Sequence, residues 1–180
     1  MEHYLETQSL VLRPFTRSDS RKMYELSQED GMKRWIPSQV YRDEAHAASV
    51  LEFLISQYRA DVDPRISPYV LGIELKFMNE LVGHVGLSPL FGDVEVGYAV
   101  QQSQQRKGIA IEAVHALCEW ATKKFPKLCV LGITSLENRI SQRVLIRAGF
   151  ERQAGRTMLL QGLEQPVAVF AYSSQRPKYA

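Results

Sequence analysis

Cysteine is nearly missing from this 180-residue chain: there are two, Cys118 and Cys129, both set in apolar surroundings. Neither belongs to a Cys-x-x-Cys spacing or has a neighbouring histidine, which argues against a zinc site or disulfide framework and leaves both as reduced core residues. No charge of one sign dominates, since 22 Lys and Arg face 20 Asp and Glu for a net charge of +2. That balance gives no support for a nucleic-acid or anionic-membrane partner spread over the surface, so any anion must be held locally. Long hydrophobic runs are absent too. The longest uncharged stretch, residues 81–92, is far shorter than the roughly 20 residues a bilayer span needs. The opening MEHYLETQSL carries acidic residues where a secretory leader would be basic, and a cytoplasmic protein is expected. There are no repeats, and neither GxxxxGK[ST] nor GxGxxG occurs, which excludes the Walker loop and the dinucleotide fingerprint.

What is present suffices for one domain over residues 1–180, with 45% hydrophobic residues to build its core and no room for a second domain of normal size. Residues 9–13 (SLVLR), stopped by Pro14, suit a first strand. Thr16 to Asp19 offer caps for a helix carrying Met23 and Leu26, and Asp43 can cap a second with Ala47, Val50, Leu51, Leu54 and Tyr58 at helical spacing, ending near residues 61–64. Between them, DGMKRWIPSQVY reads as irregular, yet it carries Trp35 and Tyr41. Strand patterns follow at residues 69–77, 81–87 and 93–100, then a helix from Gly108 to Pro126 that is apolar over a wide arc. Residues 128–134 form a continuous apolar run of strand length, expected to be covered on both faces. A short helix ends at Gly149, and two further strands, 151–160 and 166–172, flank a turn at 161–165. The fold class is α/β, a mixed sheet in which the strand–helix–strand crossover from 93 to 134 makes two strands parallel inside an otherwise antiparallel sheet.

The junction Gln104-Gln105-Arg106-Lys107-Gly108-Ile109-Ala110 is where chemistry concentrates. First-turn amides of a helix have no intrahelical partner and sit at its positive end, so an anion fits there, with Gly108 allowing close approach. The alternative is a plain strand–helix turn with a solvated basic pair. His84, inside a strand pattern, and His115, on the buried helix, read as structural residues.

Residues 105–110 (QRKGIA) resemble the Gln/Arg-x-x-Gly-x-Gly/Ala pyrophosphate loop of the GNAT superfamily of N-acetyltransferases, which move acetyl from acetyl-CoA to amines. ETQSLVLRPF, LVGHVGL, VEVGYAV, QQRKGIAIEAV and NRISQRVLIRAGFE resemble, in the same order, segments of the branch containing the ribosomal-protein alanine and serine N-terminal acetyltransferases. The resemblance implies the GNAT fold, with acetyl-CoA as co-substrate and no metal. Its pantetheine would pair with the strand carrying Val96, Tyr98 and Val100, its diphosphate would lie on Gln105, Arg106, Lys107, Gly108, Ile109 and Ala110, and Asn138 and Ser141 would face its thiol end. The implied acceptor is a primary amine: a ribosomal or other protein N-terminus, or a small amine.

Glu95 matches a frequent acidic position on that strand and is the candidate base, against an exposed strand residue or structural ion pair; Glu95→Gln is expected to lower the rate most at low pH. Glu112 is a weaker candidate, because an acid on a first helical turn has a dipole reason to be there. Relatives place a tyrosine four residues before the Gly of Gly-Phe to protonate the leaving sulfur. Here that position is Leu145, leaving Ser141 as acid or as a helix-start hydroxyl bonded to a local amide. Tyr98 reads as core packing or pocket wall, and Trp35 as a roof over the acceptor or a pin for its loop. A non-catalytic acyl-CoA sensor on the same fold is the alternative function. The chain is expected to be a monomer or homodimer.

Overall fold

The computed structural model describes residues 4–58, 62–160 and 162–173. In chain order they form β1 (Leu5–Glu6), β2 (Leu10–Arg13), a 3-10 turn (Arg17–Asp19), α1 (Ser20–Ser27), α2 (Asp30–Trp35), a second 3-10 turn (Pro37–Gln39) and α3 (Glu44–Ser56). Then come β3 (Tyr69–Leu75), β4 (Glu80–Leu90), β5 (Asp93–Val100), a third 3-10 turn (Gln102–Gln104), α4 (Ile109–Lys124), β6 (Val130–Ser135), α5 (Arg139–Arg147), β7 (Phe150–Arg152), β8 (Arg156–Leu160) and β9 (Leu163–Tyr172). The sheet runs β1-β2-β3-β4-β5-β6-β9-β7, with β8 attached to β9. Every pairing is antiparallel except β5 with β6.

Five sequence expectations need correcting. The segment expected to be irregular contains α2, a six-residue helix with Asp30 in its first turn and Lys33 and Arg34 in its last, charges that suit the helix dipole. Only Met32 of it is buried, so it is too short and too polar to show a periodic face. The helix expected to reach residues 61–64 stops at Ser56, and residues 59–61 lie outside the described set. The strand expected over 151–160 is two, because β7 pairs with the end of β9 at Phe170–Tyr172 and β8 with its beginning. The turn between the last strands is also tighter than 161–165: β9 begins at Leu163 after Gly162 (φ 81°), while Gln161 lies outside the described residues. In β6 the burial alternates rather than being continuous.

Two apolar layers sandwich the sheet. Val114, Leu117, Cys118 and Ala121 of α4, with Leu145 of α5, join Val94 and Val96 of β5 in the larger cluster. Met23, Leu26, Ala47 and Leu51 of α1 and α3 pack with Phe15, Tyr41 and Leu81 in the second. Each fully buried leucine contributes about 1.5–3 kcal/mol. His84, buried on β4, is pushed down to about 4 by desolvation and is neutral at physiological pH.

Candidate active site

β5 and β6 pair only at Val94–Val130 and Glu95–Leu131. Beyond that point β6 pairs with β9 on its other side, from Leu131 to Ser135, and β5 continues to Val100 paired only with β4. The two parallel strands therefore splay. The N–H of Val94 points toward β6, where it donates to the Cys129 carbonyl at 3.2 Å. Main-chain groups alternate sides along a strand, so those of Val96, Tyr98 and Val100 also face the splay. Among the described residues no strand pairs there; the Val100 carbonyl instead accepts from Gln105 Nε2 at 3.0 Å. The open edge is a ready acceptor for an extended amide-bearing ligand.

The chain leaves β5 through Gln101 and the Gln102–Gln104 turn and enters α4 at Gly108. Arg106 (φ 65°) and Gly108 (φ 84°) both take left-handed backbone conformations, and Gly108 is the helix N-cap without a side-chain hydrogen bond. The first-turn amides of Ile109 and Ala110 thus keep their donors for an outside acceptor. Open space surrounds the position a Cβ would occupy at Gly108. Ile109 buries its side chain in the core, which anchors this end of the helix, while Arg106 and Lys107 remain exposed and Lys107 Nζ donates to Gln104 Oε1 at 2.7 Å. The cradle is of a kind that suits a phosphate.

On the other side of the splay, β6 passes through residues 136–138 into α5. Asn138 Oδ1 caps that helix by accepting from the Ser141 amide at 3.1 Å, which explains the polar Asn-x-x-Ser pair locally. The Ser141 hydroxyl lies 2.8 Å from the Tyr98 phenol, and the same phenol donates to the Ser141 carbonyl at 3.1 Å. Tyr98 is thus more than packing: it reaches from β5 to the start of α5. Burial pushes its phenol up to about 12 against the opposing effect of the Ser141 hydrogen bond. Leu145, one turn on, is 1% exposed and part of the core.

Glu95 alternates with Val94 and Val96 and so points to the opposite face of β5, the one shared with Gly97 and Ala99. Desolvation raises its carboxyl to about 7. Glu112 is committed elsewhere. Burial opposes its ionisation, but the Ser9 hydroxyl (2.7 Å), the Ser9 amide (2.9 Å) and Thr7 prevail and hold its pKa low, fastening α4 to the turn between β1 and β2.

The α1–α2 segment is fastened on both sides of the splay. Glu29 accepts from the Gln102 amide at 2.8 Å beyond β5, and Arg34 approaches Glu137 at 4.0 Å before α5. Trp35 is half-buried at the end of α2, with the Arg34 guanidinium 4.5 Å from its ring centroid. Beneath the segment lies a shallow open recess bordered by Met23, Leu26, Met32, Tyr41, His84, Ala99 and Gln101. The Gln101 Oε1 atom is buried without a hydrogen-bond partner among the described residues. Nothing in the sequence pattern singled out Gln101, which is simply the first residue past a strand.

The acetyltransferase (GNAT) domain family model matches residues 9–151. The chain is 26% identical over 152 residues to the uncharacterized N-acetyltransferase YnaD of Bacillus subtilis, covering 83% of this chain and 84% of that one. Among solved structures, a GNAT-family acetyltransferase from Bacillus anthracis superposes with a TM-score of 0.78 at 21% identity, over 93% of this chain and 96% of that one. RimL, a ribosomal α-N-protein acetyltransferase in complex with coenzyme A, superposes with a TM-score of 0.77 at 17% identity, over 94% and 97%.

Proposed function

Because the chain belongs to the acetyltransferase (GNAT) domain family, we propose that it transfers acetyl from acetyl-CoA directly to a primary amine, either a protein N-terminus or a small amine. The observation that carries this reading is the splay itself: a strand edge facing a gap, with uncapped helix amides at one end of β5 and a polar helix start across from it. Val96, Tyr98 and Val100 would hold the pantetheine amides, and the loop from Gln105 to Ala110 the diphosphate. Asn138 and Ser141 stand at the thiol end.

Direct transfer asks the protein for position, an oxyanion donor, a proton acceptor and help for the leaving sulfur. The main-chain N–H of Val96 or Tyr98, on the open edge of β5, would stabilise the carbonyl oxygen. Glu95 takes a proton from the acceptor ammonium, directly or through water, so that the neutral amine attacks, and the Ser141 hydroxyl donates a hydrogen bond to the departing sulfur. Cys118 is buried with its thiol pushed far up by desolvation, which supports transfer without a covalent acyl-enzyme.

The recess beside Ala99 supports an amine acceptor. Its unpaired Gln101 carbonyl oxygen suits an N–H donor, and its methionine-lined wall adapts to more than one apolar side chain. Trp35 roofs this side. Thiol release from acetyl-CoA, measured with a panel of N-terminal peptides, amino acids and polyamines, tests the proposal. Release with at least one amine is expected; coenzyme A binding with no release for any of them would replace it by a non-catalytic acyl-CoA sensor.

A further inference from the structure

We propose that Tyr98 is a positioning residue for the leaving sulfur, fixing the hydroxyl of Ser141 so that the two form one hydrogen-bonded chain ending at the thiolate. This rests on the reading of Ser141 given above and adds to it the group that makes a serine sufficient. A serine hydroxyl rotates freely and by itself offers a poorly directed donor. Here its main chain is already pinned by Asn138 Oδ1 on the Ser141 amide, and its Oγ lies 2.8 Å from the Tyr98 phenol.

The phenol has one proton and two acceptors within reach, the Ser141 carbonyl at 3.1 Å and Oγ. When it donates to the carbonyl, Oγ–H can donate back to the phenol oxygen. When it donates to Oγ, the serine proton is released to point away from Tyr98. Negative charge on sulfur selects the second arrangement, because each donor in such a chain strengthens the next. As the carbon–sulfur bond breaks, its electron pair goes to sulfur, which accepts the Ser141 hydrogen bond and remains a thiolate; the amine proton leaves separately. No proton has to cross to sulfur. Burial keeps Tyr98 protonated well above the ordinary thiol range near pH 8.5, so the phenol remains a donor while sulfur is charged. The positive end of the nine-residue α5 acts in the same direction. Leu145 cannot serve, being packed into the core.

The test is titration of the thiol of coenzyme A bound to the wild type, Tyr98→Phe, Ser141→Ala and the double variant, followed by thiolate ultraviolet absorbance. Tyr98→Phe keeps the ring, and circular dichroism verifies each fold. The wild type is expected to hold the bound thiol below the pKa of free coenzyme A. Each single variant is expected to raise it by about one pH unit, the scale of one hydrogen bond to a charged group, and the double variant by no more than Ser141→Ala alone. An unshifted Tyr98→Phe titration, or additive effects in the double variant, overturns the role of Tyr98 while leaving Ser141 in place. An unshifted Ser141→Ala titration instead removes the Ser141 reading, and this inference with it.

Discussion

Leu145 lies directly over Gly132: a Cβ at Gly132 would stand 2.6 Å from Leu145 Cδ2 and 2.9 Å from its Cδ1. The missing side chain on β6 is the slot into which α5 packs. Gly132→Ala is therefore expected to destabilise by about 1–3 kcal/mol through overpacking. Thermal denaturation should show Leu145→Val recovering part of that loss in the double variant. Purely additive losses would mean that the two residues do not share this space.

Glu95 sets a pH dependence displaced upward from that of an ordinary strand carboxylate. With its pKa raised to about 7 by burial, it is protonated at low pH and cannot act as base there. The rate should rise with pH through about 7, and Glu95→Gln should cost most above that point, reversing the low-pH expectation drawn from the sequence. A pH–rate profile for the variant parallel to that of the wild type would remove Glu95 as the base.

The same shift predicts a stability change. Between the ordinary Glu value of about 4.3 and the folded value of about 7, the folded chain binds the proton and the unfolded chain does not. The favourable contribution, complete below the lower value, is lost as pH rises through the upper one. Denaturant unfolding across this window should show wild-type stability falling relative to Glu95→Gln. A constant difference would show that burial does not strain this carboxylate.

Gly108→Ala separates folding from binding. No atom lies near the added Cβ, so its cost to the free protein is the left-handed backbone alone, about 1 kcal/mol. Calorimetric titration with coenzyme A should show weaker binding, because the methyl occupies the approach to the α4 amides. Unchanged affinity would move the diphosphate away from this loop.

Asp19 anchors the entry to α1. Burial disfavours its charge, but Arg13, at 2.8 Å, and the Thr16 amide, also at 2.8 Å, outweigh that and hold its pKa below the usual range. Its contribution is present above the ordinary Asp value of about 3.9 and lost as pH falls through the folded value. Asp19→Ala should cost about 1–3 kcal/mol at neutral pH by removing one of the two carboxylates that hold the Arg13 guanidinium, Glu74 remaining on its Nε, with much less loss in strong acid. Acid titration of both proteins checks this, and equal losses at both pH values would refute it.

Local signals in the sequence carry through to the structure. Asp43 caps α3 by accepting from the His46 amide at 2.7 Å, α4 starts at Gly108, β5 spans residues 93–100, and Gly149 takes φ 103° so that Phe150 turns into the core. Each depends on residues within one turn of one another. The contact between Tyr98 and Ser141 joins residues 43 apart and belongs to no periodic pattern. α2 escaped because six residues with one buried member have no measurable period, and the raised pKa of Glu95 is a property of its surroundings. Gln101 was invisible for the same reason.

The splay has a mechanical consequence. Among the described residues, two residue pairs are the only strand ladder between the β1–β5 half of the sheet and the half built on β6, β9 and β7, so resistance to shear along the seam rests largely on side chains such as Tyr98. A ligand laid along Val96 and Tyr98 acts as the missing stitches. Its arrival should stiffen one half against the other, drawing the recess and the start of α5 into a common frame for as long as the ligand remains.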